Sequence, residues 1–228
     1  MSKTGQLTFD LPVRPALERA DFLIGPCNRE AATLIDRWPD RDERCLVVTG
    51  PAASGKSHLL AVWQARTGAI SLDPDVLKTV DADEILDGTQ MWAVSGLEDI
   101  AGHTKAEETL FHLYNAARSH GALVISSRIP PSRLAFNTPD LATRLRGALA
   151  VAISPPDDLL IAAVLIKQLR DRQVTVRAEV IAYLLPRIER SFAAVRDLVD
   201  RLDSAALTRK RAITVPLARS VLEETDTL

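Results

Sequence analysis

Apolar residues follow two rhythms along this chain, and the rhythm changes once. Up to Ile153, short unbroken apolar runs occur at 45 to 49, Ala69 to Leu72, Met91 to Val94, Ala122 to Ser126 and Ala150 to Ile153. Between them lie stretches with the three-to-four-residue spacing of helices, near 56 to 66 and 105 to 119. Runs that do not alternate with polar residues fit strands buried on both faces, and strands alternating with helices imply a parallel sheet covered on both sides. Ahead of the first strand, Ala31, Ala32, Leu34, Ile35 and Trp38 space out as a helix with Asn28 as its N-cap. Residues 1 to 22 have no helical period and read as a tail that is mobile unless bound.

After Ser154-Pro155-Pro156 no strand pattern recurs, and helical periods run through 157 to 171, 178 to 189, 192 to 208 and 215 to 223. The proline pair reads as a hinge between an α/β body and an all-helical lid. The expected organisation is a tail over 1–22, an α/β domain over 23–154 and a helical domain over 155–228. The chain has no internal repeat and no low-complexity segment.

Bulk composition narrows the function classes. The 228 residues carry a formal net charge of −2 and 4% aromatic residues, which gives no basic footprint for nucleic acid; direct sequence-specific DNA binding is not expected. The two cysteines, Cys27 and Cys45, lack metal-ligand spacing and read as reduced core thiols. No apolar stretch approaches the ~20 residues that span a bilayer, and the N-terminus lacks a signal-peptide pattern. The expectation is a soluble, cytoplasmic protein with no membrane contact.

One segment carries explicit chemistry. Gly50-Pro51-Ala52-Ala53-Ser54-Gly55-Lys56-Ser57 fits G-x-x-x-x-G-K-[ST] and sits between the first strand and a helix, the setting a phosphate-binding loop requires. Glycines permit the turn, successive backbone N–H groups and a positive helix end face the anion, and Lys56 neutralises outer phosphates. Ser57 would offer its hydroxyl to Mg²⁺, and His58 follows on the helix. Chance would produce this spacing in roughly one chain of this length per hundred. The bland alternative is a glycine turn in a helical protein.

A phosphate loop in an α/β body with a helical lid resembles the AAA+ class of P-loop ATPases, and the detailed match is to the DnaA-related family. Asp140-Leu141-Ala142-Thr143-Arg144-Leu145 looks like the box that carries the arginine finger in that family. Phe192-Ala193-Ala194-Val195-Arg196-Asp197-Leu198 looks like the lid motif whose arginine reaches the bound nucleotide. Leu97-Glu98-Asp99-Ile100-Ala101-Gly102 and Ser126-Ser127-Arg128-Ile129-Pro130-Pro131 are similar to the stretches flanking its second and third nucleotide motifs. The resemblance covers roughly residues 20 to 225. It implies an AAA+ parallel sheet, bound ADP or ATP, Arg144 as a finger offered in trans to ATP on DnaA, and Arg196 as a sensor of this chain's own nucleotide.

Two features set the chain apart from the initiator. It ends after the lid, where the initiator continues into a helix-turn-helix domain. It begins with Gln6-Leu7-Thr8-Phe9-Asp10-Leu11, which looks like the peptide by which replication proteins dock on the β sliding clamp: Leu7, Phe9 and Leu11 would fill apolar pockets, with Gln6 hydrogen bonding at one end. The competing reading of that segment is an edge strand, since it alternates at period two. The resemblance therefore implies a negative regulator of replication initiation that sits on the clamp and stimulates ATP hydrolysis by DnaA. Arg146 competes with Arg144 for the finger, and an i, i+4 pair with Asp200 competes with the sensor role of Arg196.

The pattern also departs from a hydrolytic enzyme. After Met91-Trp92-Ala93-Val94 stand Ser95-Gly96, where carboxylates normally hold Mg²⁺ and position water, and Arg128 occupies a place usually small, polar or acidic. Weak or absent hydrolysis follows, with ADP as a structural ligand or switch and Mg²⁺ weakly supported. His58, His103, His112 and His120 have no ligand spacing, so no metal site is expected, and Trp38, Trp63 and Trp92 read as core. Two other functions compete: an autonomous AAA+ ATPase or helicase loader acting on DNA, and a nucleotide-free replication scaffold. Self-association through the nucleotide site is an analogy only.

Overall fold

The computed structural model describes residues 22–39, 43–86, 90–209 and 212–224. The segment Gln6 to Leu11 lies outside the described residues. Five strands, β1 (Cys45–Thr49), β2 (Ile70–Leu72), β3 (Met91–Val94), β4 (Ala122–Ser127) and β5 (Leu149–Ala152), form one sheet in the order β2-β3-β4-β1-β5. Every pairing is parallel, with Thr49 opposite Ser127 on one side of β1 and opposite Ala152 on the other. This is the α/β parallel sheet that the unbroken apolar runs predict.

Burial on both faces explains those runs residue by residue. Cys45 and Val47 of β1 join Trp92 and Val94 of β3 and Leu123 and Ile125 of β4 in one core layer. The intervening residues, Leu46 and Val48, Ala93, and Ala122 and Val124, build the layer on the opposite face. The first layer is closed by α3 (Pro74–Thr79), α4 (Ala82–Leu86), α5 (Leu97–Ile100), α6 (Thr104–His120) and α7 (Pro139–Gly147), and the second by α1 (Arg29–Arg37) and α2 (Lys56–Thr67). All three tryptophans are in these layers, at most 2% exposed. Burial pushes the Cys45 thiol far above its ordinary range and raises that of half-buried Cys27, which suits inert packing groups.

Downstream of β5 the described residues are helical: α8 (Asp158–Asp171), α9 (Ala178–Leu184), α10 (Phe192–Arg209) and α11 (Val215–Glu223). They bury a third apolar cluster around Leu165, Leu184, Val195, Leu202 and Ala218. Leu160 and Phe192 pack instead into the second layer of the body, so the first turns of α8 and α10 are tied to the sheet. Asp158 and Arg190 join the same two helix starts through a bidentate pair at 2.5 and 2.9 Å. The α9 helix stops at Leu184 rather than running to 189, and Leu185–Arg187 continue only as a 3-10 turn. Pro186 has no N–H for the helix ladder, and its ring crowds the preceding turn.

One buried charge stands out. Glu107 on α6 is 0% exposed and accepts hydrogen bonds from the backbone N–H groups of Gly102 at 2.7 Å, Asn137 at 3.1 Å and Thr138 at 2.7 Å. It therefore fixes the turn before α6 and the chain entering α7. A carboxylate with three charge-assisted bonds is worth retaining, whereas three orphaned buried N–H groups are costly. Replacement Glu107→Ala is expected to destabilise the protein by about 3 kcal/mol or more in urea unfolding, well above the effect of an ordinary surface change.

Candidate functional site

The phosphate loop leaves the C-terminal end of β1, the strand at which the chain's winding reverses. From β1 the chain crosses to the far edge at β2, returns through β3 to β4 on one side of β1, and finishes at β5 on the other. Ligands of open α/β sheets bind in the crevice that such a reversal opens. Gly50 donates its N–H to the carbonyl of Ser127 at 3.2 Å, which pins the loop's first residue to the end of β4. Gly55 caps α2 with φ of 90°, and a Cβ there would come 2.7 Å from the ring of Phe22. Both the left-handed backbone and the close approach call for glycine. Ala53 also takes a positive φ of 58°.

Lys56 opens α2 and folds back over the loop. Its Nζ donates to the carbonyls of Gly50 and Pro51, both at 2.7 Å, and approaches Ser54 Oγ at 3.4 Å. Burial lowers its pKa from the ordinary lysine value; the charge of Glu98 opposes that shift and the charge of Arg128 adds to it. Lys56, Glu98 and Arg128 therefore share one electrostatic neighbourhood at the end of the sheet. Ser54 is buried, while Pro51, Ala52 and Ser57 are exposed.

A cleft of about 360 Å³ lies between this loop and the lid. Ala53, Ser54, Gly55 and His58 line one wall and Arg196 on α10 lines the other, so the structure brings these expected nucleotide-site residues together. The volume is within the range of small-ligand sites. The cleft also draws in residues that sequence reasoning passed over. Phe22, assigned from sequence to the end of the tail, is 8% exposed and meets His58 edge-on with ring centroids 5.3 Å apart. Lys167 of α8 and Arg172 just past its end face the same space, and an apolar period with basic residues at intermediate positions was the available signal.

One local expectation is corrected in part, and one competing reading falls away. Asn28 does stand at the N-cap position of α1, but its side chain does not cap the helix: Oδ1 accepts from Gly25 N–H at 2.8 Å and Nδ2 donates to the Leu23 carbonyl at 2.9 Å. It is 3% exposed and holds the 23–25 segment along the cleft. Arg196 does not pair with Asp200, which binds Arg172 instead; its nearest acid is Asp197, with Nε 4.0 Å away.

At the ends of β3 and β4 the acids are already engaged. Glu98 Oε1 accepts from Arg128 Nε at 2.7 Å, and Oε2 accepts from the Arg128 backbone N–H at 2.9 Å and from Ser127 Oγ at 3.0 Å. Burial alone would raise the Glu98 pKa, but these hydrogen bonds outweigh it and hold the carboxyl below its ordinary value. Asp99 Oδ2 lies 3.8 Å from Arg128 Nη2. Ser95-Gly96 place no carboxylate at the strand end.

The expected finger lies away from the cleft. Arg144 on α7 donates to Asn115 Oδ1 at 2.7 Å, and its guanidinium stands 4.9 Å from the centre of the Phe111 ring and 5.7 Å from that of Tyr114. These partners all belong to α6, and neither Arg144 nor Arg146 lines the cleft. Arg146 is exposed on the opposite side of the turn.

Phosphate loop, switch-point crevice and helical cover together make up a fold shared with AAA+ proteins such as DnaA. Domain III of the replication initiation protein DnaA from Thermotoga maritima superposes with a TM-score of 0.78 at 18% identity, over 94% of this chain and 98% of that one. AMPPCP-bound DnaA from Aquifex aeolicus matches with a TM-score of 0.70 at 17% identity, over 82% of this chain and 65% of that one. The RuvB Holliday junction branch migration motor of Thermotoga maritima matches at 0.64 and 13% identity, over 88% and 69%. At such identities the likeness fixes the fold. The lid is more specific: residues 158–222 match the family described as "Hda, lid domain". The chain thus has the fold of DnaA domain III, and its residues 158–222 form a lid of the Hda type. Among the described residues, no helix is long and apolar enough to cross a membrane.

The Glu98 pairing has a pH signature. A carboxyl held below its unfolded pKa contributes stability that is present above the unfolded value and lost as pH falls through the folded one. Glu98→Gln is therefore expected to lower the melting temperature at pH 7, with the gap to the unaltered protein narrowing as pH falls from about 5 toward 3. Melting curves across that range, read by circular dichroism, check it.

Proposed function

We propose that this protein is a negative regulator of DnaA-dependent replication initiation that holds an adenine nucleotide and acts on DnaA rather than as an autonomous motor. The lid family and the DnaA-type fold support a role alongside DnaA. Two of the similar structures are of DnaA bound to AMPPCP, an adenine nucleotide analogue. In this chain the residues suited to hold ADP or ATP are the loop Gly50 to Ser57, His58 and Arg196, with Phe22 and Asn28 on the apolar side of the cleft. A polyphosphate would offer Lys56 the oxygens it now finds on the carbonyls of Gly50 and Pro51.

The observation that carries the regulatory reading is the setting of Arg144. Two aromatic faces and a side-chain carbonyl hold its guanidinium, and no carboxylate among the described residues pairs with it. An arginine oriented by neutral groups and placed outside its own chain's cleft suits delivery to a phosphoryl group on a partner. There it would offset charge developing on the γ-phosphoryl of ATP bound to DnaA, a contribution of ~10³–10⁵ in rate where such fingers have been measured. Ser95-Gly96 and the Glu98–Arg128 pair suit a chain whose own hydrolysis is weak. The division proposed is a tail over 1–22, a nucleotide-binding body over 23–154 and a lid over 155–228, in the cytoplasm. Gln6 to Leu11 would dock on the β sliding clamp, and self-association through the nucleotide site would be an addition by analogy only.

Arg144→Ala should leave ADP binding and melting temperature near those of the unaltered protein while cutting stimulation of ATP hydrolysis by ATP-bound DnaA at least about tenfold in a clamp-loaded assay. Arg144→Lys should fail nearly as badly, because an ammonium lacks the planar fork, and Arg146→Ala should stimulate normally. Full stimulation by Arg144→Ala would overturn the finger. Separately, deleting residues 1–12 should abolish retention on immobilised clamp without altering ADP affinity; undiminished retention would reject the docking peptide.

A further inference from the structure

Arg128 leaves β4 one residue beyond the hydrogen bond that anchors the phosphate loop. Thr49 and Ser127 are register partners, Gly50 N–H donates to the Ser127 carbonyl at 3.2 Å, and Arg128 follows immediately. The side chain is 60% exposed, yet both its ends are tied. Its Nε is bonded to Glu98 Oε1 at 2.7 Å, its backbone N–H to Oε2 at 2.9 Å, and its Nη2 lies 3.8 Å from Asp99 Oδ2. A guanidinium is thereby fixed beside the loop whose lysine feels its charge.

The same contacts decide whether a divalent cation suits this site. Mg²⁺ at a phosphate loop relies on one or two carboxylates besides the nucleotide and the loop hydroxyl. The end of β3 offers Ser95-Gly96. The acid that does reach this edge, Glu98, has a side chain 11% exposed, and both oxygens are committed to Ser127 and Arg128. Asp99 is 56% exposed and leans toward the same arginine. A metal at this edge would have to break the Glu98–Arg128 pair and then sit beside the released guanidinium. The donor set does not fit Mg²⁺, whereas a fixed cation is already there.

We propose that Arg128, pinned by Glu98, takes the place of the divalent cation, so that this chain binds a nucleoside diphosphate without metal. This rests on the nucleotide reading of the cleft. Lys56, the N-terminus of α2 and Arg128 supply positive charge around a diphosphate, and Glu98 acts as a positioning residue that keeps the guanidinium from swinging into water. No hydrolytic step is required.

Binding of a fluorescent ADP analogue, titrated in excess Mg²⁺ and again in excess EDTA, tests the proposal on the full chain. The unaltered protein should bind in both buffers with affinities within about threefold of each other. Arg128→Gln should lose at least about tenfold in EDTA, and Arg128→Lys, which keeps a cation without the fork, should lose less and remain indifferent to metal. Loss of binding by the unaltered protein in EDTA, with binding retained in Mg²⁺, would overturn metal independence while leaving the nucleotide site standing. Unaltered affinity of Arg128→Gln in EDTA would remove Arg128 from the role. Absence of binding in both buffers would overturn the nucleotide reading and this inference with it. The comparison in the unaltered protein needs no variant, so a variant that fails to fold leaves the test decisive.

Discussion

The hydrogen bond from Gly50 to Ser127 joins the phosphate loop to the sheet, and it exists because β1 is enclosed between β4 and β5. With both edges of β1 paired and both faces buried, the strand can neither slip nor rotate, and the chain must turn at the reversal point. The charged groups at this end of the sheet are placed relative to that turn. Lys56 is two residues past Ser54 on the first turn of α2, Arg128 is one residue past the anchoring carbonyl, and Glu98 arrives from the neighbouring strand end. A change that loosened β1 in the sheet would move all three together.

Much of this was legible in the sequence, for a physical reason. Strands buried on both faces of a parallel sheet leave apolar runs too regular to mistake, and a phosphate loop tolerates few residue types at its fixed positions. The short helices α3 and α4 were not read, although Asp73-Pro74 is a start signal: Asp73 accepts from Val76 N–H at 2.9 Å and Pro74 occupies the first turn. Asn28 was misjudged because a side-chain amide serves a helix cap and a loop clamp equally well, and only the backbone around it decides. Glu107 was passed over although it occupies the apolar face of α6 shared with Ala106, Leu110 and Tyr114. A carboxylate at such a position has to find backbone donors, and the sequence does not say whose. The Glu98–Arg128 pair was equally out of reach: each departure was visible singly, but their neutralisation of one another depends on how far the turn after β3 swings.

The cations near the cleft also clarify how a chain with net charge −2 could present the proposed anion site. Arg128 is held by Glu98 and Asp99, and Arg172 by Asp200 and Asp203, so each brings its own counter-charge and adds nothing to the total. The salt bridges themselves are partly exposed and contribute little stability. Their value is in fixing where a positive group stands, since a pinned guanidinium loses less side-chain freedom when a ligand arrives.

Arg144 follows the opposite rule. Phe111, Tyr114 and Asn115 orient it without cancelling its charge, at the end of a helix whose entry is set by buried Glu107. A compensated cation suits a site that must stay folded whether or not its ligand is present. An uncompensated one, propped on aromatic faces, keeps its electrostatic strength for a charge supplied from outside the chain. The molecule thus separates two uses of arginine by the residues chosen to hold each one. That separation, more than the phosphate loop, is what supports the proposed action of Arg144 on a partner.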